Sequence, residues 1–291
     1  MAMRDERRIR RAVEAGRFYD GDPLRLRREM METERTVRQQ GGMSDSIPRA
    51  VIVPHAGYCF SLATAMTAIL PAAARQYRRV LLLAPGHYIG FSGLAVSRCE
   101  GLATPFGVLE TDPAGAERLA AVPGCAFRED VMAREHAVEV ELPLLHYAWG
   151  DITVLPVVCG ALQPAMLPPL AQALTAEWQD DTLVVVSSDF THYGRSFGYV
   201  PFDRDVPEQL RRLDDRAARR IAGRDRAGFA ALLAETGATI CGVMPILLLL
   251  TMLDLVDPER KRTGTITGTA NSGEITGNWQ HCVGYTAIAF A

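Results

Sequence analysis

Long apolar runs, paired cysteines and an excess of either charge are all missing from this chain, and each absence excludes something. The most apolar run is "PILLLLTMLDLV" (Pro245–Val256). It falls short of the roughly 20 apolar residues that a bilayer span requires and it contains Asp254, so it reads as a buried helix. The net charge is -3, and the 31 basic residues are spread over many segments. That leaves no electrostatic case for binding nucleic acid or an anionic membrane. Cys59, Cys99, Cys125, Cys159, Cys241 and Cys282 are scattered and form no CxxC pair. The charged run "RDERRIRR" (Arg4–Arg11) reads as a solvated or frayed end. The "AVEAG" after it is too short and too polar for the core of a signal peptide. A cytoplasmic protein with free thiols is expected, not a disulfide framework. Internal repeats, low-complexity tracts and Pro/Ser linkers are also absent, so residues 1–291 are expected to form one domain.

What is present is core-forming material, with 48% of the residues hydrophobic. Asp22 and Pro23 signal the start of a helix that closes on Gly41 and Gly42. "RAVIVPH", "RRVLLLAPGHY", "DITVLPVVCG" and "DTLVVVSSDF" are short apolar strands, and "GLAVSRC" adds another. Helices are expected in "SLATAMTAILPAAA", in "DPAGAERLAAV" with Asp112 as cap, and in "EHAVEVELPLLHYA" with an interruption at Pro143. "LPPLAQALTAEW" and the capped segments "DVPEQLRRLDDRAARRIAG" and "DRAGFAALLAET" are further helices. "TGTITGTA" and "CVGYTAIAF" are final strands, the second alternating enough to expose one face. Continuous apolar strands alternating with helices argue for a largely parallel sheet covered on both faces.

The strand ends carry the chemistry. In open α/β sheets ligands bind at the carboxyl ends of the strands. "VIVP" ends at His55, "VLLLAPG" at His87, "LPVVCG" at Cys159 and "LVVVSS" at Asp189 and His192. If the strands are parallel, His55, His87, Asp189 and His192 meet in one cleft. A lone histidine after a strand usually caps a turn, and Asp189 alone reads as a loop cap. Three of only six histidines placed this way is a different matter. Imidazoles and a carboxylate converging on one edge suit a divalent transition metal. In "EHAVEVE", Glu135 and Glu139 share a helix face with His136 beside it, while Glu141 reads as part of an exposed acidic face. Cys241 sits in a Gly-flanked turn before the apolar helix. It reads either as a small core thiol or as a soft ligand and the most reactive of the six cysteines.

"AGRFY" (Ala15–Tyr19), "PHAGY" (Pro54–Tyr58), "PGHY" (Pro85–Tyr88), "EHAVEVELP" (Glu135–Pro143), "SSDFTHYG" (Ser187–Gly194) and "TICG" (Thr239–Gly242) together resemble the Memo family in its own order. The resemblance implies the fold of the class III extradiol dioxygenases, a single-domain α/β/α sandwich around a central mostly parallel, mixed sheet. It implies metal ligation by His55, His87 and Cys241, with Asp189 and His192 lining the same pocket and His192 as acid/base. Cys241 stands where the dioxygenases have a glutamate ligand, which turns the site toward iron, copper or zinc and away from ring cleavage. Tyr88 stands where many relatives have a second histidine. Bacterial and archaeal members often sit beside radical-SAM and AMMECR-like proteins, which are the partners the resemblance implies.

Three functions are compatible with these residues. The first is a metal-dependent redox enzyme, oxygenase-like, acting on a small-molecule or peptide substrate. The second is a scaffold that binds a peptide or metal without chemistry. The third is a hydrolase with metal-activated water or Ser188 as nucleophile, although Ser188 has no G-x-S-x-G elbow. Titratable groups beside a metal trio, with Glu135, His136 and Ser188 as further pocket residues, favour the first.

Overall fold

A computed structural model describes residues 7–41 and 46–291. Gly42, and Arg4 to Glu6 of the charged N-terminal run, lie outside the described residues. Strand β1 (Ile9–Arg10) precedes helix α1 (Pro23–Gln40), whose first-turn N–H groups at Leu24 and Arg25 are accepted by Asp22. Strand β2 (Ala50–Val53), helix α2 (Tyr58–Ala72) and strand β3 (Arg79–Pro85) follow. Then come β4 (Leu94–Val96), β5 (Gly101–Thr104), β6 (Gly107–Glu110), α3 (Pro113–Ala120) and β7 (Cys125–Phe127). Helices α4 (Glu129–Met132), α5 (His136–Glu139) and α6 (Glu141–Trp149) lead into β8 (Thr153–Cys159), α7 (Leu167–Ala176) and β9 (Thr182–Ser187). The remainder is β10 (His192–Gly194), α8 (Val206–Ala222), α9 (Arg226–Thr236), α10 (Val243–Val256), β11 (Gly264–Asn271), α11 (Ser272–Thr276) and β12 (His281–Phe290).

The central sheet runs β10-β12-β2-β9-β3-β8-β4-β7, with β11 also paired to β12. Its heart, β2-β9-β3-β8, is parallel throughout, and antiparallel pairings to β12 and β4 flank it. The expected α/β sandwich with a mostly parallel, mixed sheet is thus observed. The reason lies in the period of two along each strand. Val51 and Val53, Val80 and Leu82, and Leu183 and Val185 enter a core beneath α1, α2 and α6. Ala50 and Ile52, Leu81 and Leu83, and Val184 and Val186 enter a second core beneath α7, α8 and α10. Both faces need apolar side chains, so the strands read as unbroken apolar runs. The apolar run at 245–256 is a buried helix as expected. Among the described residues no helix is long and apolar enough to cross a membrane.

Several expectations fail for physical reasons. The charged run is not a free end where it is described: Ile9–Arg10 pairs in parallel with β5, and Arg10 is buried in an ion pair with Glu139 at 2.7 Å. The helix of "EHAVEVELPLLHYA" breaks at Val140, not at Pro143. Pro143 falls in the first turn of α6, where a missing N–H costs nothing. Strand β12 exposes no face, because α2 packs on one side and α8 on the other; the partly exposed strand is β11. Asp225 caps α9 through the Gly228 N–H, whereas Asp205 before α8 has φ 48° and its side chain caps nothing.

Val185, fully buried in the first core, tests this layering. Val185→Ala should lower unfolding free energy by about 1–3 kcal/mol in urea denaturation, because the rigid sheet cannot close the cavity. An unchanged midpoint would place Val185 outside a packed core.

Candidate metal centre

The parallel pairing of β2, β9 and β3 sends their chain ends to one edge of the sheet. His55 follows β2, His87 follows β3, and Asp189 follows β9. The structure brings them together as the sequence predicts. The His55 and His87 ring centroids are 5.2 Å apart. His136, at the start of α5, joins them: its ring lies 4.4 Å from that of His87 and 5.3 Å from that of His55. One ligand nitrogen from each of the three imidazoles lies within 4.8 Å of the others. Cys241 enters from the turn before α10, with Sγ 3.2 Å from His55 Nε2. Cys159, at the end of β8, faces the second core instead.

Each part of this centre is bonded from below. The Asp189 carboxylate accepts the backbone N–H groups of His55 (2.8 Å) and Ala56 (3.2 Å), so it shapes the turn that carries His55. Its own N–H donates to Cys241 Sγ at 3.2 Å. Glu135 grips His87 twice, accepting from the backbone N–H and pairing with ring Nδ1, both at 2.7 Å. It also caps α5 through the Ala137 N–H. Tyr88 Oη lies 3.0 Å from His136 Nδ1 and so is a partner of the third imidazole. His192 Nδ1 lies 3.0 Å from the Phe190 carbonyl and 3.1 Å from that of Thr239. Carbonyls only accept, so the Nδ1 proton stays there and Nε2 keeps its lone pair.

Among the acids of "EHAVEVE", Glu141 departs furthest from expectation. Glu135, Glu139 and Glu141 are 1%, 0% and 2% exposed, so none belongs to a solvated face. Glu139 accepts from Arg10, from the Glu14 N–H and from Tyr19 Oη. Glu141 accepts from Ser187 Oγ at 2.8 Å, and Ser187 Oγ is 2.7 Å from His55 Nδ1. Alternating polar and apolar letters could not reveal this, because the helix breaks at Val140 and each acid points to a different buried partner. Ser188 is fully buried. Its hydroxyl donates to the Asp189 carbonyl and accepts the Gly242 N–H, and no imidazole is among its hydrogen-bond partners. His146 lies apart, with Nδ1 at 2.9 Å from Thr104 Oγ1.

Burial sets the charge states. It pushes His55 well below the usual imidazole range and lowers His136 to about 4, and the neighbouring imidazoles add to both shifts. His192 is lowered for the same first reason. Neutral imidazoles are the form that binds metal. Burial raises Asp189 to about 7 against the pull of the His55 and Ala56 N–H groups. Burial opposes charge on Glu135 too, but the His87 ring together with the His87 and Ala137 N–H groups outweighs it and holds this carboxylate below its usual range. The Cys241 thiol is pushed well up by burial and by the Asp189 charge. The direction is opposite to that of the acidified thiol expected at a helix start. A bound cation is what would reverse the shift.

Neutral imidazoles grouped beside a thiol and a buried carboxylate, at the carboxyl edge of a parallel sheet, define an α/β protein with a candidate transition-metal centre. The donor set fits a borderline divalent ion. The chain belongs to the Memo family: the family described as Memo-like protein matches residues 10–289. It is 32% identical over 254 residues to "Protein memo-1 homolog" of Caenorhabditis elegans, which covers 83% of this chain and 70% of that one. It is 30% identical over 301 residues to a MEMO1 family protein of Methanopyrus kandleri, covering 95% and 96% of the two chains. A MEMO1 family protein of Thermococcus onnurineus is 30% identical over 255 residues, covering 80% and 84%.

The lowered His136 gives a pH test. In metal-free protein, NMR should show it titrating near 4 instead of the ordinary 6.5. The unfolded chain protonates this ring below about 6.5 while the folded chain does not, so the unfolded state binds more protons in that window. Stability should therefore fall as pH drops from about 6.5 toward 4, and His136→Phe should lessen the fall. A His136 that titrates at 6.5 or above would contradict the burial argument.

Proposed function

We propose that this chain is a metal-dependent redox enzyme whose ion, iron or copper, is held by His55, His87 and Cys241. The observation that carries the reading is the convergence of the imidazoles, with ligand atoms within 4.8 Å of one another, beside a thiol 3.2 Å from His55 Nε2. His136 is a further nitrogen donor within that group. Zinc fits the same donors, but a zinc ion gives no redox chemistry.

The ion, when bound, supplies electron transfer with O₂ or with an organic substrate. The chain's own residues do the rest. His192 carries the proton at Nδ1 and has Nε2 free to accept another, so it serves as acid/base at neutral pH. Asp189 holds the His55 turn and the Cys241 sulfur in one frame. Glu135 sets the ring of His87, as carboxylates behind ligand histidines commonly do. The open, partly exposed side at His87 and Tyr88 is where substrate enters.

The test is metal analysis of anaerobically purified protein, with oxygen uptake measured on the same samples. His55→Ala, His87→Ala and Cys241→Ala should lose most of the metal, and His146→Ala should keep it. Full retention in Cys241→Ala together with loss in His136→Ala would give the third ligand to His136. His192→Ala should keep the metal and lose turnover. A metal-loaded parent that consumes no oxygen with any reductant would favour a binding protein over an enzyme.

A further inference from the structure

Glu141 is a buried carboxyl that no step above uses. Burying such a group is costly unless it is hydrogen-bonded. Its hydrogen-bond partner is the hydroxyl of Ser187, the last residue of β9, at 2.8 Å. A serine hydroxyl has one hydrogen, and we assign it to the Glu141 oxygen; burial raises this carboxyl well above its usual range, so the acid's own proton then sits on the oxygen turned away from Ser187. The same oxygen is 2.7 Å from His55 Nδ1, and with its hydrogen committed it can only accept there. His55 must then carry its proton on Nδ1. A neutral imidazole has one N–H, so the lone pair stays on Nε2, the nitrogen that faces Cys241.

We infer that Glu141 is a positioning residue: through Ser187 it fixes the tautomer of His55 and so selects Nε2 as the nitrogen offered to the site. His87 has its carboxylate, Glu135, directly on Nδ1. His55 lies deeper, 1% exposed, and a hydroxyl spans the gap to its acid. The usefulness of the arrangement rests on the metal reading, but the tautomer is a property of the metal-free protein and is measured without any ion.

The experiment is long-range nitrogen–proton NMR on metal-free protein labelled with ¹⁵N at histidine. The parent should show His55 as the Nδ1–H tautomer. Ser187→Ala and Glu141→Leu should move it toward Nε2–H, with Cys241 as the new acceptor, while Ser187→Thr, which keeps the hydroxyl, should behave as the parent. If Glu141→Leu does not fold, Glu141→Gln with its amide oxygen left to accept should keep the parent tautomer, and Ser187→Ala carries the test. Zinc affinity, read by chelator competition, should fall by about 10–100-fold in Ser187→Ala. An Nε2–H His55 in the parent, or a parent-like ring in Ser187→Ala, overturns the inference. If the tautomers follow the expected pattern but no metal binds the parent, the positioning role stands and the metal reading falls.

Discussion

Buried acids hold this molecule's strand edge in place. A turn that leaves a parallel strand has backbone N–H groups with no ladder partner, and a histidine on it is free to swing. Here Asp189 takes the N–H groups of His55 and Ala56, and Glu135 takes the N–H and ring of His87. Glu139 binds Arg10, Tyr19 and the Glu14 N–H, tying the N-terminal strand to the helix that begins at His136. Each acid is shielded from water and so would be expensive to leave unpaired. Removing Arg10 would leave Glu139 as an uncompensated buried charge, a loss of about 3–5 kcal/mol by the usual cost of breaking such pairs.

The same economy explains why the centre is both rigid and electrically quiet. Two cores sandwich the parallel strands, so the strand ends cannot shift without disturbing packing on both faces. Low solvation keeps His55, His136 and His192 neutral and the Cys241 thiol protonated in the absence of a cation. Every one of these shifts favours the species with no charge, and a positive ion would reverse the penalty on the thiol. The imidazoles and the thiol are therefore held together by geometry before any of them is ionised.

Much of this could be read from the letters. The unbroken aliphatic runs of β2, β3, β8 and β9 declare a two-sided sheet, and the histidines that follow β2 and β3 mark the edge where the candidate metal centre lies. The motif "SSDFTHYG" divides as its composition suggests: Ser187 ends the strand, Asp189 braces a neighbouring turn, and His192 opens β10. Other parts stayed hidden for definite reasons. A run such as "RDERRIRR" looks solvated because nothing local says that Arg10 meets an acid 129 residues away. His136 looks secondary because the imidazoles it meets, those of His55 and His87, lie far from it in sequence. Glu141 looks exposed because burial of an acid depends on one distant hydroxyl. Local pattern reports strands and caps; pairings between distant polar groups leave no periodic trace.

X-ray absorption on zinc-loaded protein tests the central claim most directly, because it reads the ligands themselves. The account predicts imidazole nitrogens from at least two histidines at about 2.0–2.1 Å and a sulfur at about 2.3 Å. A shell of oxygen atoms alone, without imidazole or sulfur scattering, would contradict it.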